Sequence, residues 1–267
     1  MTRTEKVAAF RALHVPGDPF LLPNPWDLGS AKVLAGLGAK ALATTSSGHA
    51  FTLGRPDLGN VSREEALEHA SAIAGATGLP VSGDFENGFG PEPETVAETV
   101  RLAARAGLAG LSIEDMNLPG PDPYPFDHAL ARIEAAVEAA REVDIVLCAR
   151  ADGWMHKAYD GAEAVRRCAA FAEAGAEVIY APLVKEDTLR ELCAIGTPVN
   201  VLAVGKMSEY SVAQLGEMGA ARISIGGALA RLTQMTLLNT ARAMLDAGDL
   251  SALGQAASGG EVNNFLN

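Results

Sequence analysis

Short apolar segments alternate with amphipathic segments along most of the chain. The apolar segments show little alternation with polar residues, which is typical of strands that are covered on both faces. Eight of them are predicted as strands: Phe20–Pro23, Ala41–Thr45, Val81–Gly83, Gly110–Ile113, Ile145–Ala149, Val178–Ala181, Val199–Ala203 and Arg222–Ile225. The segments between them carry apolar residues at helical spacing, so the pattern predicts a parallel sheet whose strands are connected by helices.

Several helix starts can be predicted from capping residues. Ser62 is followed three residues later by Glu65, which is the pattern of a capping box. Asp127 is predicted as the N-cap of a helix that extends through Ala140, and Ser208 as the start of a helix that runs to Met218.

A helical pattern that ends in glycine and leads into an apolar segment occurs four times. The glycines are Gly38, Gly107, Gly175 and Gly219, and glycine is common just after a helix. The first two intervals are close to twice the length of one strand-helix unit, about 34 residues, and eight such units would use the whole chain. A doubly wound open sheet is the alternative, but it uses fewer strands, and no G-x-G-x-x-G follows the first strand. We therefore predict an α/β fold, a (β/α)8 TIM barrel.

The segment from Ala228 to Ala247 is a long apolar helix pattern after the eighth strand. It is either an ordinary last barrel helix or a helix that is buried against another subunit. We expect residues 1–267 to form a single barrel domain with extra C-terminal helices. Residues from about 228 onward are expected in an oligomer interface, with Leu229, Leu232, Met235 or Leu238 buried there and the helices exchanged between subunits.

Composition limits the partners of the chain. Of its 267 residues, 48% are hydrophobic and 20% charged, and 21 Lys and Arg against 33 Asp and Glu give a net charge of −12. A nucleic-acid partner is disfavoured because there is no basic run. An anion site would have to be built from local arginine, backbone N–H groups or a bound cation.

Targeting and cysteine patterns point to a reduced, cytoplasmic location. Charges are interleaved from Met1 to Leu13, so no signal peptide is visible, and no apolar segment is long enough to span a membrane. The three cysteines, Cys148, Cys168 and Cys193, are widely spaced and include no C-x-x-C pair, which argues against disulfides or zinc.

Polar residues collect where the predicted strands end, which is where barrels place their functional groups. The residues at or just after these ends are Asn24, Asp27, Ser46, Ser47, Gly48, His49, Asp84, Glu86, Asn87, Glu114, Asp115, Arg150, Asp152 and Lys206. Five carboxylates at three consecutive strand ends are the strongest signal, because they cannot share one pocket in ionised form without positive charge. Oxygen ligands without cysteine or paired histidine suit Mg2+. The alternative is that some of these acids cap helices.

Two further features can be interpreted in two ways. Ser46-Ser47-Gly48 could line an anion pocket with its backbone N–H groups, or could be an ordinary loop. Arg150 could bind a substrate carboxylate in bidentate fashion, or could only form a salt bridge with a strand-end aspartate.

Six motifs together resemble the isocitrate lyase/phosphoenolpyruvate mutase superfamily, in that family's order. They cover about Pro23 to Asp152, with weaker similarity through Gly227. The motifs are N-P-W-D at Asn24–Asp27, T-S-S-G at Thr45–Gly48, G-R-P-D at Gly54–Asp57, G-D-F-E-N-G-F-G at Gly83–Gly90, S-I-E-D at Ser112–Asp115 and A-R-A-D at Ala149–Asp152.

The resemblance implies a barrel that uses Mg2+, or Mn2+, and acts on a 2-oxo acid or phosphonate through an enolate, making or breaking a C–C or P–C bond. It implies a homo-oligomer, a dimer or tetramer. The implied metal residues are Asp84, Glu86 and Glu114, although Glu86 is longer than the usual aspartate. The implied substrate-binding residues are Trp26, Asp27, Ser47, Gly48 and Arg150, and the implied catalytic residues are Ser47, Asp57, Asn117 and Arg150.

The loop after the fourth strand departs from the lyases of this superfamily. Isocitrate and methylisocitrate lyases carry a K-[KR]-C-G-H segment, whereas this chain has a proline-rich stretch from Met116 to Pro125 without cysteine. The resemblance therefore favours the phosphoenolpyruvate mutase-like branch, with Asn117 as the polar residue of a gate. The alternatives are an isocitrate- or methylisocitrate-type lyase, a Schiff-base aldolase using Lys206, and a catalytically silent metabolite-binding barrel.

Overall fold

All eight predicted strands form a parallel sheet in a computed structural model that describes residues 1–266. They are β1 Phe20–Leu22, β2 Leu42–Ala43, β3 Val81–Asp84, β4 Gly110–Glu114, β5 Val146–Arg150, β6 Val178–Tyr180, β7 Val199–Leu202 and β8 Arg222–Ser224. Neighbouring strands pair in sequence order from β2 to β8, and β8 pairs with β1. The Ala43 N–H donates to the Pro23 carbonyl at 3.1 Å across the remaining gap. The predicted TIM barrel is confirmed.

The described residues form eleven α-helices, most of which cover the outside of the barrel. They are α1 Arg3–Ala12, α2 Leu28–Gly36, α3 Ser46–Thr52, α4 Arg63–Ala76, α5 Pro93–Arg105, α6 Phe126–Val143, α7 Gly161–Ala174, α8 Glu186–Cys193, α9 Val212–Glu217, α10 Ala228–Ala247 and α11 Gly259–Leu266. None of these helices is both long and apolar enough to cross a membrane.

The predicted helix starts are correct at one position and wrong at two. Ser62 and Glu65 form the predicted capping box at α4. Helix α6 begins at Phe126, so Asp127 lies in its first turn and is not its N-cap. Pro125 occupies the N-cap position, and its ring fixes its φ angle. Ser208 lies in a 3-10 turn, and the hydroxyl of Ser211 caps α9 instead.

Helix α1 closes the N-terminal end of the barrel. Phe10 is fully buried and packs with Phe20 on β1, their ring centroids 6.0 Å apart. Gly110 on β4 makes room for Phe10, since a Cβ at this glycine would lie 2.6 Å from the Phe10 ring. The barrel is therefore plugged at this end and open only at the carboxyl ends of the strands.

Asn24 joins three strands at the open end. Its side-chain oxygen accepts from the N–H groups of Ile225 and Gly226, each at 3.0 Å, and its amide donates to the Thr44 carbonyl at 3.0 Å. Asn24 is buried, so these bonds satisfy polar groups that water cannot reach. We infer that this strand-end residue stabilises the closure of the barrel.

The predicted helix Ala228–Ala247 is present as α10, and one of its faces is apolar and uncovered. Its exposed side chains include Leu232, Met235, Leu237, Leu238 and Leu245. Helix α11 instead packs on α2, where Gly36 accommodates the ring of Phe265.

Candidate active site

A cavity of about 220 Å³ opens among the carboxyl ends of the strands. Seven of the eight strands line it with residues at their carboxyl ends. Strand β4 lines it with Ser112, which lies in the middle of the strand. Of the predicted site residues, Ser47, Asp57, Asp84 and Arg150 line the cavity. Positions that are far apart in the sequence therefore meet in one pocket.

Arg150, the last residue of β5, contacts three carboxylates. Its Nη1 donates to Asp84 at 2.8 Å, and its Nε and Nη2 donate to Asp152 at 3.0 and 2.6 Å. Glu114 lies 3.2 Å from Nη2. Burial alone would lower the pKa of Arg150, but the charges of Asp152, Glu114 and Asp84 raise it well above its ordinary value. Arg150 is thus a permanent cation at this end of the barrel.

Asp84 also accepts from α3 and from the neighbouring strand. The Ser46 N–H donates to its Oδ2 at 2.9 Å, and the Ser112 hydroxyl lies 3.5 Å from its Oδ1. Its backbone N–H donates to the Thr44 hydroxyl at 2.8 Å. Asp84 is therefore held at the edge of the cavity with 17% of its side chain exposed.

Three further acids near Asp84 are disfavoured in their charged form. Burial raises the pKa of Glu86 to about 7, although the Gly59 N–H donates to its Oε1 at 2.9 Å. Burial also raises the pKa values of Asp57 and of Glu114, the latter well above its ordinary range. The charge of Asp57 raises the pKa of Glu86 further, and the charge of Asp84 raises the pKa of both, because like charges repel. One arginine does not neutralise this cluster.

A fully buried arginine, Arg132 on α6, joins the loops that carry these acids. It donates to the carbonyl oxygens of Glu114 at 3.3 Å, Gly90 at 3.2 Å and Asn87. Its guanidinium also lies 4.1 Å from the ring centroid of Tyr124. Because it ties the loop after β3 to the end of β4, Arg132 holds Glu86 and Glu114 in register.

The five strand-end carboxylates do not all face one pocket. Asp115 is 1% exposed and points away from the cavity, where it accepts from Arg167 at 2.9 Å and from the Tyr159 hydroxyl at 2.8 Å. The Asp152 N–H also donates to Asp115 at 2.8 Å. Asp115 thus has a cationic partner of its own in Arg167, whereas Asp152 is buried against Arg150, and neither acid lines the cavity.

Ser46-Ser47-Gly48 is the first turn of helix α3, not a flexible loop. Thr45 caps this turn, and the Ser47 hydroxyl lies 3.1 Å from the Thr45 hydroxyl, facing the cavity. Gly48 lies behind it, where a Cβ would come within 2.8 Å of Trp26. Gly48 is therefore required for close packing in this turn.

The remaining predicted site residues lie outside the cavity. Trp26 packs behind Gly48, and its carbonyl accepts from His69 at 2.9 Å. Asp27 is exposed and caps α2, accepting from the Ser30 N–H at 2.7 Å. Asn117 is exposed in the loop after β4, and its N–H donates to the Asp122 carbonyl at 2.9 Å. The structure does not bring these three residues together with Asp84 and Arg150.

Lys206 and the three cysteines do not line the cavity. Lys206 is exposed, and its hydrogen bond with Glu209 raises its pKa, which is the wrong direction for a Schiff-base nucleophile. Cys148 and Cys168 are buried, and burial raises the pKa of both thiols. Burial raises the pKa of Cys193 to about 11. The arrangement disfavours lysine and thiol chemistry.

The cavity contains several polar residues that the strand-end pattern missed, and four of them have large side chains. Tyr180, Asn200 and Arg222 lie on β6, β7 and β8, and Arg231 lies on α10. A polar residue inside an apolar strand, such as Asn200 or Arg222, was a usable signal, because such positions face either a cavity or a satisfied core.

The acids near Asp84 fit a hard cation through their chemistry and through one orphaned atom. Within residues 1–266, no three histidine, cysteine or acidic side chains are close enough to form a complete ligand set. The Oδ1 atom of Asp57, however, is buried without a hydrogen-bond partner. A cation that takes one or two carboxylates directly and reaches others through water matches this arrangement.

Comparison with known proteins identifies relatives across nearly the whole chain. The family model for phosphoenolpyruvate phosphomutase matches residues 10–245. A solved structure from Burkholderia cenocepacia J2315, named as a candidate lyase/mutase, has 42% identity and a TM-score of 0.93 over 98% of this chain and 96% of that one. An uncharacterized protein of Mycobacterium tuberculosis is 33% identical over 91% of both chains. The 2-methylisocitrate lyase of Escherichia coli is 30% identical over 73% of this chain and 68% of its own.

The raised pKa of Glu86 predicts a pH-dependent stability in metal-free protein. In the unfolded chain this carboxyl ionises near 4.5, and in the fold near 7. The folded state therefore holds the proton more tightly, so its stability should fall as pH rises from 4.5 to 7, by up to about 3 kcal/mol. Urea unfolding at several pH values in EDTA should show this loss in the wild type and less of it in Glu86→Gln. Glu138→Gln, at an exposed position, is the control, and parallel curves for wild type and Glu86→Gln would contradict the assignment.

Proposed function

The chain belongs to the phosphoenolpyruvate phosphomutase family, and we propose that it is a Mg2+-dependent enzyme that makes or breaks a C–C or P–C bond of a small 2-oxo acid. The family, within the isocitrate lyase/phosphoenolpyruvate mutase superfamily, comprises lyases and mutases. We assign this chain to the mutase-like branch. Its activities include isomerisation and hydrolysis of phosphonopyruvate and decarboxylation of oxaloacetate. Mn2+ is the alternative metal.

The excess of acidic side chains around Asp84 supports this proposal most directly. Asp84 lies at the edge of a cavity beside Arg150, and it is surrounded by Asp57, Glu86 and Glu114, whose charges exceed the one nearby cation. Acids that are costly to ionise without a partner would be stabilised by a divalent cation. A metabolite-binding barrel without chemistry has no need of this imbalance.

Asp84 would hold the metal, with Glu86 and Glu114 acting directly or through water. When bound there, Mg2+ would supply positive charge beside the 2-oxo oxygen as negative charge develops on it. Asp57 would contribute its unpartnered Oδ1 to the same shell of water or substrate. The acids of the chain thus position the metal rather than react.

Arg150 and Ser47 would hold the substrate. Arg150 donates to Asp84 and Asp152 and also lines the cavity. There its guanidinium would donate to an anionic group of the substrate. The Ser47 hydroxyl at the start of α3 would donate to the carboxylate end of the 2-oxo acid. This fixed placement lowers the entropic part of the barrier.

Protonation of the enolate would not use a thiol. Cys148, Cys168 and Cys193 all lie outside the cavity lining, and burial raises the pKa of each. Water or another residue of a gate formed by the loop after β4 would supply the proton, with Asn117 as a polar contact of that gate rather than as the acid. This separates the chain from lyases that use a cysteine as acid.

We predict that activity depends on divalent metal and on Asp84. Purified protein should be tested with oxaloacetate, phosphonopyruvate, phosphoenolpyruvate and 2-methylisocitrate, following release of pyruvate or phosphate with and without Mg2+. EDTA should abolish turnover of the substrate. Asp84→Ala should lower kcat/KM by about 10³-fold or more, while circular dichroism shows an intact fold, because a strand-end acid is not part of the core.

The matched control is Asp18→Ala, which removes an exposed acid at the opposite end of the barrel and should keep wild-type activity. Full activity of the EDTA-treated Asp84→Ala protein would refute the metal assignment. Binding of these acids without any turnover would favour a metabolite-binding barrel instead.

The apolar face of α10 predicts self-association. We propose that residues 1–267 form one barrel domain and that residues from about 228 onward join subunits into a dimer or tetramer, burying Leu232, Met235 and Leu238. Light scattering at micromolar concentration should give a multiple of the monomer mass, and Met235→Lys should shift it toward the monomer. Val15→Asp, at an exposed apolar residue outside α10, is the control. A monomeric wild type would overturn this proposal.

A further inference from the structure

Arg222, the first residue of β8, lies inside the barrel with 4% of its surface exposed. Its Nε donates to the Asn200 side-chain oxygen at 2.8 Å, and its Nη2 lies 2.9 Å from the Cys148 sulfur. Its Nη1 lies 3.4 Å from Nε2 of His14, at the plugged end. The guanidinium is therefore fixed from three sides.

None of these three partners neutralises the charge of Arg222. Asn200 is neutral by nature, and burial raises the pKa of Cys148 so that the thiol keeps its proton. Burial, and then the charge of Arg222, lowers the pKa of His14 to about 3. His14 places its Nδ1 at 2.8 Å from the Phe10 carbonyl, so the neutral ring donates there and presents a lone pair to Arg222.

Two other buried arginines in the described part of the chain have carboxylate partners. Arg150 contacts three carboxylates, and Arg167 contacts Asp115 and Glu163. Arg132 resembles Arg222 in having no carboxylate partner, and its Nε has no hydrogen bond, but it donates to three carbonyl oxygens and does not line the cavity. Arg222 combines a lack of ion pairs within residues 1–266 with direct access to the cavity.

A buried charge without a counter-ion is costly. An anionic ligand that binds beside Arg222 would supply the missing counter-ion and remove this cost, so such a site favours anions. The cavity offers that anion a place, because Arg222 and Asn200 line the same space as Asp84 and Arg150.

The strand register places the two cationic regions on one row of residues. Arg222 pairs with Asn200, Asn200 with Tyr180, and Tyr180 with Arg150. Since β5 and β8 lie three strands apart in a closed barrel, the two arginines approach the 220 Å³ cavity from well-separated parts of its wall. Because both arginines line this one cavity, the ligand that would use both is a molecule with two anionic groups.

We propose that Arg222, oriented by Asn200, is a binding site for the second anionic group, a carboxylate or a phosphonate, of a small 2-oxo acid. The 2-oxo carboxylate end of the same molecule lies at Ser47 and Arg150, beside the metal that Asp84 would hold. This assignment rests on the proposed function, because it takes the orientation of the ligand from it.

Calorimetric binding at fixed Mg2+ tests the site without turnover. The probes are 3,3-difluorooxaloacetate for a second carboxylate, sulfopyruvate for a second tetrahedral anion, and 2-oxobutyrate, which has no second charge. Arg222→Met should weaken binding of at least one dianion by about 100-fold, the loss expected for a charge-assisted contact, and leave 2-oxobutyrate binding unchanged. The preferred dianion identifies the group that the site takes.

Asn200→Asp provides a second test that does not depend on removing the arginine. It places a carboxylate against Nε of Arg222, so it supplies the missing counter-charge inside the protein. We expect this variant to be as heat-stable as the wild type or more so, and to bind the dianion about tenfold less tightly. Arg190→Met, at an exposed ion pair on α8, is the matched control and should bind every probe as the wild type does.

The outcomes separate this site from the proposed function. Equal losses for dianion and 2-oxobutyrate, or no loss in either variant, would overturn the role of Arg222. If Arg222→Met does not fold, unchanged dianion binding in Asn200→Asp would overturn it alone. Selective loss of dianion binding in a wild type that turns over none of the 2-oxo acids would keep the Arg222 site and refute the proposed enzyme activity.

Discussion

Acidic side chains outnumber cationic ones around Arg150, and this imbalance is the constraint on which the active end of the barrel depends. Arg150 neutralises Asp152 and part of the charge of Asp84 and Glu114, but Glu86 and Asp57 form no ion pair with any residue from 1 to 266. The backbone N–H groups of Ser46 and Gly59 hold Asp84 and Glu86 in place. The site is therefore built to receive positive charge, and the family to which the chain belongs gives that charge a chemical purpose.

The barrel makes this constraint possible by fixing strand ends that are distant in sequence. Helix α1 and Phe10 fill the N-terminal end, Asn24 ties β1 to β2 and β8, and Arg132 ties the loops after β3 and β4. With these ends rigid, like charges remain close at a cost that packing of the rest of the barrel offsets. The cavity thus has an acidic region near Asp84 and a cationic region near Arg222.

The strands were predictable because each is an apolar run of the right length between clear helix patterns, and the barrel followed from their number. The strand-end rule also located Asp84, Arg150 and Ser47. It failed where a side chain's direction mattered: Asp115 turns outward to Arg167, and Asp27 caps a helix. Arg222 was not identified because only residues at the carboxyl ends of strands were considered, and Arg222 is the first residue of β8. Sequence pattern gives position along an element, but partners across the barrel depend on register.

We expect a divalent cation to balance the charge of the acids around Asp84. Titration calorimetry of Mg2+ into EDTA-stripped protein, near pH 6.5 and in buffers of different ionisation enthalpy, measures binding and proton release together. The titration should show one Mg2+ bound per chain with release of protons from the acid cluster, because a bound cation lowers the pKa of neighbouring carboxyls. Both should disappear in Asp84→Ala. Absence of binding in the wild type, or binding of the same strength and proton release in Asp84→Ala, would contradict it.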